Sequence, residues 1–180
     1  MTNEEVYLYH RIPNDMEGDV LYPLNVLKES MPEVYKMHAK KYEGREELME
    51  RTVPILNCKW NDVLHLSSVH PQVVHEHLQK IGSPGLSGKR FLCIDPRAFE
   101  PLRTVVFLYE SGNVDQSTID TEVVPYDYSR VGEYSVFPKV TEEYYAEESA
   151  AGRKPLIWHR IPHILYKGSI RIDQHSILVV

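Results

Sequence analysis

Apolar positions recur along this chain with two different periods. Val63-Leu64-His65-Leu66-Ser67-Ser68 alternates with period two, which puts Leu64, Leu66 and Ser68 on one side of a strand and Val63, His65 and Ser67 on the other. Residues 91–96 and 104–109 are rich in β-branched and aromatic side chains and predict strands, with a short turn of helix between them near residues 97–100. Val6-Tyr7-Leu8-Tyr9-His10-Arg11 predicts an N-terminal strand, closed by Pro13, which has no N–H to give to a ladder. Residues 120–125, 156–158, 169–173 and 177–180 predict further strands. Helical spacing dominates earlier: Leu21, Leu24, Leu27, Val34 and Met37 share one face, broken at Pro32. This predicts a short helix over residues 23–29 and a second from Pro32, with Glu33 complementing its dipole. Pro71 opens another helix to residue 80, with Val74, His77 and Leu78 inward.

Turn chemistry separates these elements. Asn14-Asp15-Met16-Glu17-Gly18-Asp19 predicts a loop, residues 57–62 a bend, and Ile81-Gly82-Ser83-Pro84-Gly85-Leu86-Ser87-Gly88 a flexible surface connection. Those glycines do not form a P-loop, because no strand precedes the first and no Lys-Ser/Thr follows the last. Residues 126–152 lose periodicity and carry Tyr126, Tyr128, Tyr134, Tyr144 and Tyr145, which predicts a long functional loop. Helical signals come early and strand signals late, without regular alternation. The fold class is therefore α+β, one domain over residues 1–180, with a twisted, mostly antiparallel sheet and short helices in the N-terminal half.

A net charge of −6 argues against non-specific binding to a nucleic-acid backbone, which rests on Lys and Arg displacing counterions. Two cysteines, Cys58 and Cys93, show no staple or metal pattern and point to reduced thiols. No apolar run reaches membrane-spanning length, and the Asn3-Glu4-Glu5 start argues against a signal peptide, so a cytoplasmic location without membrane contact is expected. Twelve tyrosines and nine histidines suit an aromatic cleft with hydrogen-bonding tips.

Two stretches end alike: His10-Arg11-Ile12-Pro13 and His159-Arg160-Ile161-Pro162. Each reads as a strand end presenting His and Arg, and side by side they would line one cleft, where imidazole and guanidinium suit a phosphate or carbonyl. Taken singly, each is a solvated edge. His65, His70, His75 and His77 raise a metal site and a metal-dependent hydrolase. The spacing is not that of a His-Glu-x-x-His helix, however, and His75 and His77 would point about 200° apart on a helix; no metal ligands are assigned. Ser67 and Ser68 lack a nucleophile elbow.

Tyr7-Leu8-Tyr9-His10 resembles the first-strand motif of ADP-ribosyltransferases, an aromatic-x-His sequence that sets a histidine against the ribose of NAD. The run from Trp60-Asn61-Asp62 through His65 and Ser67 to His70-Pro71 is similar in layout to a segment of the DarT-like, DNA-modifying ADP-ribosyltransferase toxins, and residues 156–162 with Ile170 and Ile172 resemble their closing strands. The resemblance implies a split antiparallel sheet with NAD in its cleft as substrate. It also implies cleavage of the nicotinamide–ribose bond and transfer of ADP-ribose to a nucleic-acid or protein acceptor, with an antitoxin or regulator as a further partner. By the same resemblance His10 would position the ribose, Arg11 would contact phosphate, and Tyr9, His65 and Ser67 would complete the NAD site. The family's glutamate precedes the closing strands; here that place falls near Lys154, so Glu147 and Glu148 are the expected catalytic carboxylates, alongside His10. The alternative is a non-catalytic binding or immunity-type protein that recognises a basic partner.

Overall fold

The computed structural model describes residues 5–180; the Asn3-Glu4 start lies outside them. The elements in order are β1 (Leu8–Arg11), β2 (Val20–Leu21), α1 (Leu24–Ser30), α2 (Pro32–Ala39), β3 (Thr52–Val53), β4 (Cys58–Lys59), β5 (Leu64–Leu66), α3 (Pro71–Lys80), β6 (Arg90–Ile94) and β7 (Thr104–Phe107). There follow α4 (Gln116–Glu122), β8 (Val123–Pro125), α5 (Lys139–Ala150), β9 (His163–Tyr166), β10 (Ile170–Arg171) and β11 (Ser176–Val179). The protein is α+β, and its sheets are small and antiparallel. No helix among the described residues is long and apolar enough to cross a membrane.

Two sheets carry the fold, a four-stranded one in the order β5-β9-β7-β8 and a three-stranded one in the order β1-β6-β11. Strand alternation distributes their side chains into three apolar clusters. Val105, Phe107, Val63 and Leu165 leave one face of the larger sheet to pack with Leu24, Tyr42, Leu48 and Trp60 beneath α1, α2 and α4. Val106, Ile164, Leu64 and Leu66 leave the other face and meet Leu8, Leu92 and Ile94 of the smaller sheet. Tyr9 and Phe91, on the far face of the smaller sheet, pack with Val74 and Leu78 of α3 and Tyr145 of α5. The result is helices, sheet, sheet and helices in succession, and it explains why β7 is buried along its whole length.

The two sheets touch edge to edge at one bridged pair. The Tyr9 N–H donates to the Ser67 carbonyl at 2.7 Å, and the Ser67 N–H returns the bond to Tyr9 at 3.0 Å. Beyond this pair β1 and β5 part, and a cleft lined by His10, Arg11, Leu64 and His65 opens there.

Several expectations change in the folded chain. Helices are not confined to its N-terminal half, since α4 and α5 both lie beyond residue 115. Residues 156–158 form no strand: turns run over 157–160, and the Leu156 N–H and the Ile157 and His159 carbonyls bond side chains of α5 where a ladder would need backbone partners. Residues 116–122 form α4, with Asp115 as N-cap accepting from the Thr118 N–H at 2.9 Å, so the strand predicted from Asp120 begins only at Val123. The stretch from 126 to 152 is no long loop: it contains a 3₁₀ segment over Tyr128–Tyr134 and α5, whose Thr141 and Tyr145 are buried against residues 157–161. The weak amphipathicity of α5 hid it, because so many of its positions are glutamate or tyrosine.

The loop over residues 81–88 is pinned. Leu86 is buried in the α3 cluster, its N–H donates to His75 Nδ1 at 2.9 Å, and Gly85 passes so close that a Cβ there would lie 2.4 Å from the same nitrogen. Gly85 and Gly82 share left-handed φ values of 64° and 76°, but a Cβ at Gly82 meets nothing within 4 Å. Gly82→Ala should therefore cost only the conformational strain, about 1–2 kcal/mol, whereas Gly85→Ala should cost clearly more by displacing His75. Urea unfolding of both variants checks this; equal losses would show that the His75 contact does not hold the loop.

Candidate functional site

Beyond the Tyr9–Ser67 pair, the antiparallel pattern would place the next hydrogen-bonded pair at Arg11 and His65. The strands have already diverged, and His10 Nδ1–H donates to the His65 carbonyl at 2.9 Å in place of a backbone amide. A carbonyl can only accept, so the imidazole proton sits on Nδ1 and Nε2 keeps its lone pair. The same device appears twice more. His163 Nδ1 donates to the Ile161 carbonyl at 2.7 Å, and His65 Nε2 makes a long 3.4 Å contact to the Trp60 carbonyl.

His65 and His163 lie on the helix-covered face of the larger sheet, their ring centroids 6.0 Å apart, because His65 is the cross-strand partner of Leu165, two residues along from His163. Burial lowers His10 and His163 to about 4 and holds His65 well below the usual histidine range, with His163 adding to the effect at His65. All three are neutral at pH 7. Each has one nitrogen committed to a carbonyl and the other left as an acceptor.

These histidines line a cleft of about 740 Å³, inside the range of roughly 300–1,000 Å³ usual for small-molecule sites. Trp60, Asn61, Phe107 and Tyr109 line it, together with Leu24, Leu27, Val34 and Tyr42 from the early helices and residues 156–159. Three cations line it, Arg11 from the end of β1 and Lys41 and Arg45 from the turns after α2, against two carboxylates, Asp15 and Glu17. None of the three cations is in an ion pair among the described residues. The Lys41 side chain is exposed along its length, yet its ammonium comes within 5.0 Å of the Tyr42 ring centre and its pKa is lowered by desolvation, with Arg45 contributing. On a chain of net charge −6, this leaves a local excess of positive charge next to neutral acceptors.

His159 also reaches this cleft. Its ring centre lies 4.0 Å from that of Tyr144, the two planes tilted by 40°, and its Nδ1 lies 3.2 Å from the Tyr109 hydroxyl. Tyr109 itself holds φ 55°, a left-handed conformation that is costly for an aromatic residue, at the point where β7 leaves the sheet. Arg160 turns away and donates to the Glu110 carbonyl at 2.8 and 2.6 Å. His10 and His159 thus share one cleft, although the second is delivered by a turn.

Of the residues expected from the sequence, His10, Arg11 and His65 come together here. Tyr9 and Ser67 do not line the cleft: the pleat turns Tyr9 to the opposite face from His10, where it meets the His70 ring edge-on, and the Ser67 hydroxyl accepts from the Val69 N–H. Glu147 and Glu148 stand on α5, outside the lining; Glu147 is exposed, and Glu148 is held by a two-pronged bond from Arg153 at 2.9 and 2.7 Å. The remaining histidines of the 65–77 group have separate local partners. His70 caps α3, His75 takes the Leu86 N–H, and His77 stacks on Phe137 at 4.0 Å. Among the described residues no group of three or more His, Cys, Asp or Glu could hold a metal ion.

Sequence reading missed His163, Trp60, Asn61, Lys41, Arg45 and Tyr109. His163 had a visible signal, since it directly follows the second His-Arg-Ile-Pro run.

The neutral histidines make stability pH-dependent with a definite sign. The unfolded chain takes up protons on His10 and His163 as pH falls through about 6.5, and the folded chain resists until about 4. Stability should be level above pH 6.5 and fall as pH drops from 6.5 toward 4, by at most about 1.4 kcal/mol per pH unit for each histidine. Denaturant titrations at pH 7, 6 and 5 check this, with His163→Asn expected to flatten the slope; an unchanged slope would mean that His163 is not held neutral.

Against protein-family models, curated proteins and solved structures, the chain matches none.

Proposed function

We propose that this cleft binds NAD, or a nucleotide of the same build, and that the protein is an ADP-ribosyltransferase-like enzyme that breaks the nicotinamide–ribose bond. The observation that carries this reading is the convergence of neutral, proton-fixed histidines with three cations outside any ion pair in one aromatic-walled cleft at the parting of two sheets. Each group suits one part of the ligand. An imidazole Nε2 with a free lone pair accepts from a ribose hydroxyl, a role that His10 fits and a protonated histidine could not fill. Arg11, Lys41 and Arg45 offer charge-assisted bonds to a diphosphate. Tyr109, Tyr22 and Trp158 supply planar surfaces for the heterocycles. A seam opening between two antiparallel sheets is also consistent with a split-sheet, ADP-ribosyltransferase-like fold.

Loss of nicotinamide develops positive charge on the ribose, and a nearby carboxylate would stabilise it. The carboxylates lining the cleft are Asp15 and Glu17, on the loop after β1. They are better placed for this role than Glu147 or Glu148, and Glu17 is the first choice because its longer side chain reaches farther from the loop. Both are exposed, which also favours a second reading, a cleft that binds the nucleotide without turning it over. The acceptor, nucleic acid or protein, follows from neither reading.

Calorimetric titration with NAD and assay of nicotinamide release separate these readings. Binding is expected, with Arg11→Ala and Arg45→Ala each weakening it by about tenfold or more, since a hydrogen bond to a charged group contributes about 1.5–3 kcal/mol. Both arginines are exposed, so melting temperature should change little. Nicotinamide release lost in Glu17→Gln would support the enzyme. Binding without release would favour the second reading, and no binding at millimolar NAD would overturn both.

A further inference from the structure

Asn61 has no use in the fold that the structure reveals. It is the middle residue of the 3₁₀ turn Trp60–Asp62, only 2% of its surface is exposed, it lines the cleft, and its Nδ2 is buried with no hydrogen-bond partner among the described residues. Such a group is rare, because a buried donor without an acceptor loses its bonds to water and gains nothing in return. The turn around it is firmly built. The Asp62 carboxylate accepts from the Lys59 N–H at 2.7 Å and from Asn25 Nδ2 at 2.7 Å, and the Trp60 N–H donates to the Arg51 carbonyl at 2.8 Å. Its neighbours therefore hold Asn61 in place, while its own amide satisfies no structural need. His65 packs on the first residue of this turn, its ring tilted against that of Trp60 at 4.8 Å.

We propose that Asn61 is a specificity-determining residue: its Nδ2 donates to the carbonyl oxygen of the carboxamide on a nicotinamide ring seated against the Trp60–Asp62 turn. This rests on the nucleotide reading of the cleft and assigns one end of the ligand within it. Asn61 lines the cleft, and a ligand seated there supplies the missing acceptor. A nucleobase edge presents similar acceptors, so the test must tell the two ends of the dinucleotide apart. The carboxamide is favoured because the turn that carries Asn61 packs through Trp60 on His65, one of the histidines that suit the ribose, with the arginines and Lys41 reaching in from other elements.

Two ligands discriminate: a non-hydrolysable carba analogue of NAD, and ADP-ribose, which lacks the nicotinamide. In Asn61→Leu, affinity for the carba analogue should fall by about tenfold, the loss of one hydrogen bond, while affinity for ADP-ribose should change less than about twofold. The ligand-free Asn61→Leu protein should melt at the same temperature as the native protein or higher, because an unpaired buried amide is replaced by an apolar group of similar size. Equal losses for both ligands would overturn the assignment and move Asn61 to the adenine end. A melting temperature lowered by several degrees would make Asn61 structural and would also overturn it. If the native protein binds neither ligand, the nucleotide reading itself fails, an outcome distinct from both.

Discussion

The hydrogen bond from His10 Nδ1 to the His65 carbonyl is the constraint on which the site depends. It stands where a ladder bond would have continued the Tyr9–Ser67 pair, and it lets two sheets separate without leaving that carbonyl unsatisfied. Three consequences follow from one bond. The seam stays closed on one side and opens on the other; the imidazole is fixed in one tautomer; and its second nitrogen becomes an acceptor. A side chain without a donor at residue 10 would leave a buried carbonyl orphaned, and a fully paired ladder would leave no cleft.

The electrostatics of the cleft depend on the same architecture. Because the larger sheet is covered on both faces, His65 and His163 are dehydrated and neutral, and nearby Lys41 further disfavours a proton on His65. Cations and neutral acceptors then coexist within one cleft. A protonated histidine group would add to the positive charge and remove the imidazole acceptors. The arrangement suits a ligand carrying both hydroxyls and phosphates better than a simple anion.

The strap formed by residues 156–161 shows how tertiary contacts override local pattern. Its apolar and aromatic residues have strand character, but Thr141 and Tyr145 of α5 bond the carbonyls of His159 and Ile157, and the Tyr144 hydroxyl takes the Leu156 N–H. Gly112 permits the opposite contact, since a Cβ there would come within 3.0 Å of the His159 ring. Held between a helix and a loop, the segment has no strand partner. It becomes the cleft wall.

What the sequence determined by itself was local: a period-two run for β5, β-branched and aromatic enrichment for β6 and β7, a proline-closed run for β1, proline starts for α2 and α3, and an α+β class, because backbone sterics and side-chain shape act over a few residues. His10, Arg11 and His65 were legible as candidates through the repeated His-Arg-Ile-Pro run and the family resemblance, and all three line the cleft. The tertiary structure decided everything that depends on pairing between distant segments. Tyr9 and His10 are neighbours in the chain, yet only the docking of β6 and β5 on either side of β1 shows which of them faces the cleft. His163 gained its place through register with Phe107, Lys41 and Arg45 through the packing of the early helices, and Asn61 through a turn anchored by Asn25, 36 residues before it. Glu147 and Glu148 were near the right place in sequence and outside the cleft in space, because a helix formed where periodicity was too weak to announce it.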